Sequence, residues 1–184
     1  MRVIAGAFRG RVIKSPPGNR TRPTSDRLRE TLFNILAPRI DNETRVLDLC
    51  AGTGAIGIEA LSRGAAFVTF VDKSRKACAL IEENLDLLEV PETQTEVVAL
   101  SAENFTGRKH ATGWDVAFFD PPYTTDYSIV LHDFGSDESM LLRSEGVLIA
   151  EHHLKNALPD AVGGLRRWRV LKQGSTCLSF FERN

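Results

Sequence analysis

Val46-Leu47-Asp48-Leu49-Cys50-Ala51-Gly52-Thr53-Gly54-Ala55-Ile56-Gly57 is a short apolar run that breaks on a glycine turn and restarts at helical spacing. The run reads as a strand over 46–50, and the residues from Ala55 to Arg63 read as the helix that follows it. Gly52, Gly54 and Gly57 satisfy G-x-G-x-x-G at the junction, where a glycine turn lets a ligand come close to the backbone.

Outward from this junction the same alternation continues. Strand-like runs at 67–72, 95–100, 114–120 and 146–151 are separated by stretches that include a helical pattern over 75–88. Such alternation implies a mostly parallel sheet with helices on both faces, a Rossmann-like α/β fold. The tail departs from it: 168–172 and 176–181 are two strand-like runs joined through Gln173-Gly174-Ser175, which predicts an antiparallel hairpin at the sheet edge. At the other end, 2–5 and 11–14 read as a small hairpin. Ser25 and Asp26 then open a helix whose apolar stripe is Leu28, Leu32, Phe33, Ile35 and Leu36, and Pro38 ends it. The expected organisation is a basic N-terminal hairpin and helix over 1–40 and a ligand-binding domain over 41–184.

The 184 residues suit one α/β unit with a sizeable core. Cys50, Cys78 and Cys177 form no C-x-x-C pair, and His110, His132, His152 and His153 show no ligand spacing, so no metal site and a reducing, cytoplasmic setting are expected. No apolar run approaches a membrane span. The net charge of −1 hides an asymmetry. Residues 1–29 hold eight cations against Asp26 alone, a net of +7, which leaves −8 for the rest. An arm so unbalanced suits phosphate contacts from Arg9, Arg11, Arg20, Arg22 and Arg27; a merely solvated face is the plainer reading. Arg22, Thr24 and Arg27 could instead face a ligand pocket, and Arg166, Arg167 and Arg169 are either more of the basic surface or an ordinary exposed turn.

Two features indicate the chemistry. Asp72 closes the second strand 20 residues after Gly52, where an acid can accept from ribose hydroxyls. Asp120-Pro121-Pro122-Tyr123 stands at the tip of the fourth strand, beside the switch point where open α/β sheets bind ligands. The amino group of a nucleobase is a poor nucleophile, its lone pair being delocalised into the ring. The Asp120 carboxylate and the Pro121 carbonyl can each accept one of its N–H bonds and stabilise the charge that grows on nitrogen. Pro121 and Pro122 fix the backbone, and Tyr123 offers a stacking face. Asp48, four residues before Gly52, suits a cationic ligand better than a pyrophosphate. S-adenosylmethionine is such a ligand, with an ammonium and a sulfonium. A dinucleotide-dependent oxidoreductase is the remote alternative.

The chain resembles the bacterial guanine-N2 methyltransferases of small-subunit ribosomal RNA, the RsmD type of the class I S-adenosylmethionine-dependent fold. The likeness covers nearly the whole length. It rests on the stretches 2–6 and 9–11, on Arg22-Pro23-Thr24 with Asp26-Arg27 and 29–34, on 46–49 with 52–65, and on 120–123. The resemblance implies that Asp48, Ala51, Gly52, Thr53 and Gly54 hold the methionine part of the cofactor, Asp72 the ribose, and Lys73 one side of the adenine. Asp120, Pro121, Pro122 and Tyr123 would handle the guanine. Three positions depart from the family pattern: Cys50 replaces phenylalanine, Asp72 glutamate, and Ser101 an acid or amide that reaches the adenine amino group. The last leaves that contact to the Ala102 amide or a water. The implied partner is small-subunit ribosomal RNA or a subunit assembly intermediate, met by a monomer. An adenine-N6 or DNA amino methyltransferase, or an RNA-binding assembly factor without turnover, are the alternatives.

Overall fold

The structure is a computed structural model that describes residues 1–16 and 25–183. Eight strands form one sheet in the order β3-β2-β1-β4-β5-β8-β7-β6. These are β1 (Arg45–Leu49), β2 (Phe67–Val71), β3 (Thr95–Val98), β4 (Trp114–Phe119), β5 (Leu142–His153), β6 (Ala161–Val162), β7 (Leu165–Gln173) and β8 (Thr176–Arg183). The first five are mutually parallel, and β8, β7 and β6 are added antiparallel. The chain moves outward from β1 to β3, then restarts at β4 on the other side of β1. The switch point therefore lies between the carboxyl ends of β1 and β4, where the glycine turn and the Asp120 loop emerge.

Among the described residues five α-helices cover the sheet: α1 (Asp26–Leu36), α2 (Ala55–Ser62), α3 (Arg75–Leu87), α4 (Ala102–Thr106) and α5 (Ser128–Gly135). Side chains alternate along a strand, so each face of the sheet collects its own core. Val46, Val68, Phe70, Val116, Phe118 and Ile149 pack with residues of α1, α2 and α3 on one face. Leu47, Val71, Ala117, Phe119 and Leu148 pack with residues of α4 and α5 on the other. Close helix packing needs Gly57, since a Cβ there would lie 2.2 Å from the ring of the buried Phe70.

Helix α1 starts as its sequence specifies, with the Ser25 hydroxyl accepting from Leu28 N–H and Asp26 in the first turn. Its buried stripe also contains Arg29, only 1% exposed. That guanidinium donates to the Arg2 carbonyl (2.6 Å) and to Asp26 (3.0 Å), which clamps the start of the chain to α1. Glu59 of α2 holds the same segment from the other side: its carboxylate accepts from Ile4 N–H (2.8 Å), Ala5 N–H (3.0 Å) and Arg63 Nε (2.8 Å).

Two expectations change. The N-terminal hairpin keeps a single antiparallel bridge, Arg2 to Val12, because Ile4 and Ala5 donate to Glu59 in place of a second strand. The C-terminal hairpin lies at the sheet edge as expected, since β6 pairs only with Leu165 and Arg166 of β7, and β8 is its inner strand. Cys177–Phe181 of β8 are all buried and need a partner on each side, so β8 lies between β5 and β7, and the two-residue β6 is outermost. Helices α4 and α5 were not foreseen; with five and eight residues they carry little periodic signal. Arg20 and Arg22, as well as Thr24, lie outside the described residues.

Candidate active site

The loop after β1 is built from left-handed backbone. Cys50, Gly52 and Gly54 have φ of 62°, 57° and 76°. Ala51 N–H is tied to the Val71 carbonyl (3.1 Å) and Gly54 N–H to the Ala51 carbonyl (2.8 Å), while Asn84 of α3 donates to the Thr53 carbonyl (3.2 Å). A Cβ on Gly54 would press on Ile81 and Phe70 at 3.2–3.3 Å. On Gly52 it would meet nothing nearer than the Cys50 carbonyl at 4.0 Å, so the outer side of this turn is open to a ligand. Asp72, just past β2, accepts from Gly52 N–H (2.9 Å) and Ser74 N–H (2.8 Å), one on each oxygen. A carboxylate has further lone pairs, so Asp72 keeps the capacity to accept from a ribose. Lys73 is exposed beside it.

Asp48 is buried, and its carboxylate accepts from Gly57 N–H in the first turn of α2 (2.9 Å). It therefore caps the helix from inside the sheet. Burial pushes its pKa up to about 8, against the pull of the Gly57 N–H and with a push from Asp72. The unfolded chain releases this proton near 3.8 and the folded chain only near 8. Folded stability should thus fall as pH rises through that window, with no penalty below it and the full penalty above. Asp48→Asn keeps an oxygen for Gly57 N–H and removes the titration. Its melting temperature relative to the unsubstituted chain should rise from pH 4 to pH 8; a flat difference across a pH series of melts would refute this.

Asp120 follows β4, its N–H bonded to the Leu49 carbonyl (3.3 Å). The Pro122 carbonyl is occupied by Thr125 N–H (2.8 Å), whereas among the described residues none donates to that of Pro121. Tyr123 is anchored by groups with no motif of their own. Its hydroxyl shares a hydrogen bond with Thr176 Oγ1 (3.2 Å), its carbonyl accepts from Asn156 (2.8 Å), and its ring meets His153 edge-on at 5.4 Å. The start of β8 and the end of β5 thus fix the Tyr123 ring.

Over residues 1–182 the chain matches the family model described as conserved hypothetical protein 95. The protein YlbH of Bacillus subtilis is 38% identical, the match covering 100% of this chain and 99% of that one. Ribosomal RNA small subunit methyltransferase D of Escherichia coli K12 is 33% identical, covering 100% and 90%. The chain belongs to the RsmD family of S-adenosylmethionine-dependent methyltransferases. Its fold is that of the class I enzymes: the solved structure of Escherichia coli yhhF superposes with a TM-score of 0.88 at 32% identity, over 100% of this chain and 97% of that one.

As an RsmD-family chain it brings together what the motifs separate by more than 70 residues. Asp48, Asp72 and Asp120 stand at the carboxyl ends of three adjacent strands, and Glu151, inside β5, follows the Ala150 that is level with Phe119. Sequence reasoning missed Glu151, Asn156 and Thr176. Only Glu151 carried a signal, as an acid closing the strand predicted over 146–151. Burial and the surrounding acids push the Cys50 thiol up to about 12, so it is no nucleophile at neutral pH. Ser101 is engaged in capping α4 by accepting from Asn104 N–H (3.2 Å).

Among the described arm arginines, Arg9 and Arg11 lie away from this cluster. Arg9 is exposed in the turn beside Ser62, at the far end of α2, and Arg11 donates to the Leu87 carbonyl at the end of α3 (2.7 Å). Eight residues of α2 separate Gly54 from that region, roughly 12 Å at helical rise. Arg27 is exposed on the first turn of α1, next to the Ser25 hydroxyl that accepts from Gln173 (3.1 Å).

Proposed function

We propose that this chain transfers a methyl group from S-adenosylmethionine to the exocyclic N2 of a guanine in small-subunit ribosomal RNA. The observation that carries the reading is the placement of Asp120-Pro121-Pro122-Tyr123 across the switch point from the open Gly52 turn. S-adenosylmethionine supplies an electrophilic methyl on a sulfonium. The residues fit it: the open side of Gly52 admits it, and the acids at the strand tips suit its positive charges. Asp72 would hold the ribose, Asp48 and the Ala51–Gly54 backbone the methionine part, and Lys73 and Ala102 the adenine surroundings. Asp120 and the Pro121 carbonyl would accept the two N–H bonds of the guanine amino group, with the base stacked on Tyr123. The target must be unpaired or flipped out to reach them.

The 1–40 extension would serve as the RNA grip. Arg9 and Arg11 lie far enough from the reacting base to hold phosphates of a flanking segment, while Arg27 stands closer to the rim. Arg9→Ala with Arg11→Ala should weaken RNA binding and flatten its dependence on salt, with cofactor affinity nearly unchanged. A salt series with unaltered RNA affinity would favour the solvated-face reading. The enzyme would work as a cytoplasmic monomer without a metal. No helix among the described residues is long and apolar enough to cross a bilayer.

S-adenosylhomocysteine should raise the melting temperature by mass action while NAD leaves it unchanged. Stabilisation by NAD alone would return the oxidoreductase alternative. The target is tested by mass mapping of modified nucleosides in small-subunit RNA from cells with and without the protein. Loss of one N2-methylguanosine is the expected result, and loss of an N6-methyladenosine would move the assignment to the adenine enzymes.

A further inference from the structure

Arg166, Arg167 and Arg169 are strand residues of β7 and form no turn. The short β6 covers only Leu165 and Arg166, so from Trp168 onward the outer edge of β7 bears no further strand. Pairing with β8 sorts the side chains. Arg167 is level with Phe181, on the face of α4 and α5, where its guanidinium donates to the Leu158 carbonyl (2.8 Å) and pairs with Asp160. The register then slips by one residue, and Arg169 is level with Phe180, on the face of α1. Trp168 is the extra residue of that bulge, and its ring packs on Phe180 at 5.5 Å. The bulge thus turns two consecutive residues to one face, where an unbroken strand would send them to opposite ones. Trp168 is 45% exposed, and Arg166 and Arg169 are exposed beside it. Arg166 is level with Glu182, but that acid is engaged by Arg39; among the described residues neither Arg166 nor Arg169 has an ion pair. The same face leads to the site. Gln173 donates to the Ser25 hydroxyl at the start of α1, and Thr176, level with Gln173, shares its hydrogen bond with Tyr123. From Gln173 back to Trp168 is roughly 16 Å at strand rise.

We propose that this face of β7 is a second RNA contact: Trp168 stacks an unpaired base that flanks the target guanine, and Arg166 and Arg169 hold the phosphates beside that base. The inference deepens the reading of an RNA substrate given above and rests on it. Exposed cations on an open edge strand also serve as a guard against strand-to-strand association. A large exposed apolar ring works against such a guard, and a bulge that sets the ring beside a cation on one face adds nothing to it. A ring flanked by unpaired cations fits single-stranded nucleic acid: the base covers the ring, and the phosphates meet the guanidinium groups. A duplex keeps its bases stacked on one another and offers no such face. Stacking accepts any base, so the contact selects single strands with little regard for sequence. The target guanine has to be unpaired or flipped out as well, and one unpaired segment reaching from Tyr123 along β7 meets both needs.

The test is binding of a single-stranded RNA oligonucleotide, and of its duplex, across a salt series by the unsubstituted chain, Trp168→Ala, Trp168→Phe and the pair Arg166→Ala with Arg169→Ala. Trp168→Ala should weaken single-strand binding about tenfold, and Trp168→Phe, which keeps a stacking face, should restore most of it. The arginine pair should lower the slope of log affinity against log salt by roughly 1.4, about 0.7 for each phosphate of a single strand. Fluorescence gives a second reading that needs no variant. Of the two tryptophans Trp114 is buried and Trp168 exposed, so bound single strand should shield the emission from acrylamide quenching while the duplex does not. A merely structural Trp168 would lower the melting temperature of Trp168→Ala and leave both RNA affinity and shielding unmoved, and that result overturns the proposal. A loss of affinity for assembled subunits alone, with protein-free RNA bound as before, would give the face to a ribosomal protein and overturn it too. If the unsubstituted chain binds no RNA of either form, the substrate reading fails as well, whereas unchanged binding by Trp168→Ala removes only the β7 contact.

Discussion

Asp120→Ala should depress methyl transfer by roughly 10²-fold or more, the scale of losing one preorganised polar group at the reacting atom. The carboxyl meets the amino group most strongly when the nitrogen becomes positive, so the loss falls on turnover and not on RNA binding, which the phosphates supply. Folding should survive. The backbone bond from Asp120 N–H to the Leu49 carbonyl is kept, and removing an acid from a site crowded with them relieves repulsion. The ligand-free variant should therefore melt no lower than the unsubstituted chain. Rapid-quench transfer of a labelled methyl, beside RNA binding at matched salt, makes the comparison. Transfer at a near-normal rate would place the acceptor elsewhere and remove the central inference about this site.

Glu59→Ala should be the most damaging single change to stability among the residues outside the site. Glu59 is 1% exposed, and its carboxylate satisfies two backbone N–H groups of the N-terminal segment and pairs with Arg63. Truncation leaves those donors and Arg63 without their acceptor, a loss on the order of 3 kcal/mol for a buried, paired charge. For a domain of this size that corresponds to a fall of about 6–12 °C in melting temperature. The damage should also be local. Residues 1–13 should lose amide protection against hydrogen exchange, while the central strands β1 and β4 keep theirs. An unchanged melting temperature would mean that Arg29, Ser62, Asn84 and the apolar contacts of Val3 and Ile13 hold the arm without Glu59.

Arg29 and Glu59 show where sequence reading stops. Both look like ordinary charged residues on amphipathic helices, yet both are buried, because the N-terminal segment folds back over α1 and α2 and brings its own unpaired backbone groups. Only long-range contact reveals that, since the partners lie 27 and 55 residues away. The tail is a similar case. Its hairpin was legible from the Gln173-Gly174-Ser175 turn, but the insertion of β8 beside β5 depends on Cys177–Phe181 being buried throughout, which periodicity alone does not order within a sheet.

The sequence by itself determined the strand-helix alternation, the glycine turn after β1, the acid at the β2 tip and the tetrapeptide after β4. Each is a local pattern whose backbone or side-chain chemistry has few alternatives: left-handed turns call for glycine, a proline pair stiffens a loop, and alternating runs build a parallel sheet. Only the tertiary structure decided which groups meet. It set Glu151 beside Asp120, gave Tyr123 its anchors in Thr176 and Asn156, turned Asp48 to cap α2, and placed Arg9 and Arg11 at the far end of the helix layer. Strand order and register control those meetings, and they are fixed by packing between segments distant in the chain, a free energy that no single stretch of sequence contains.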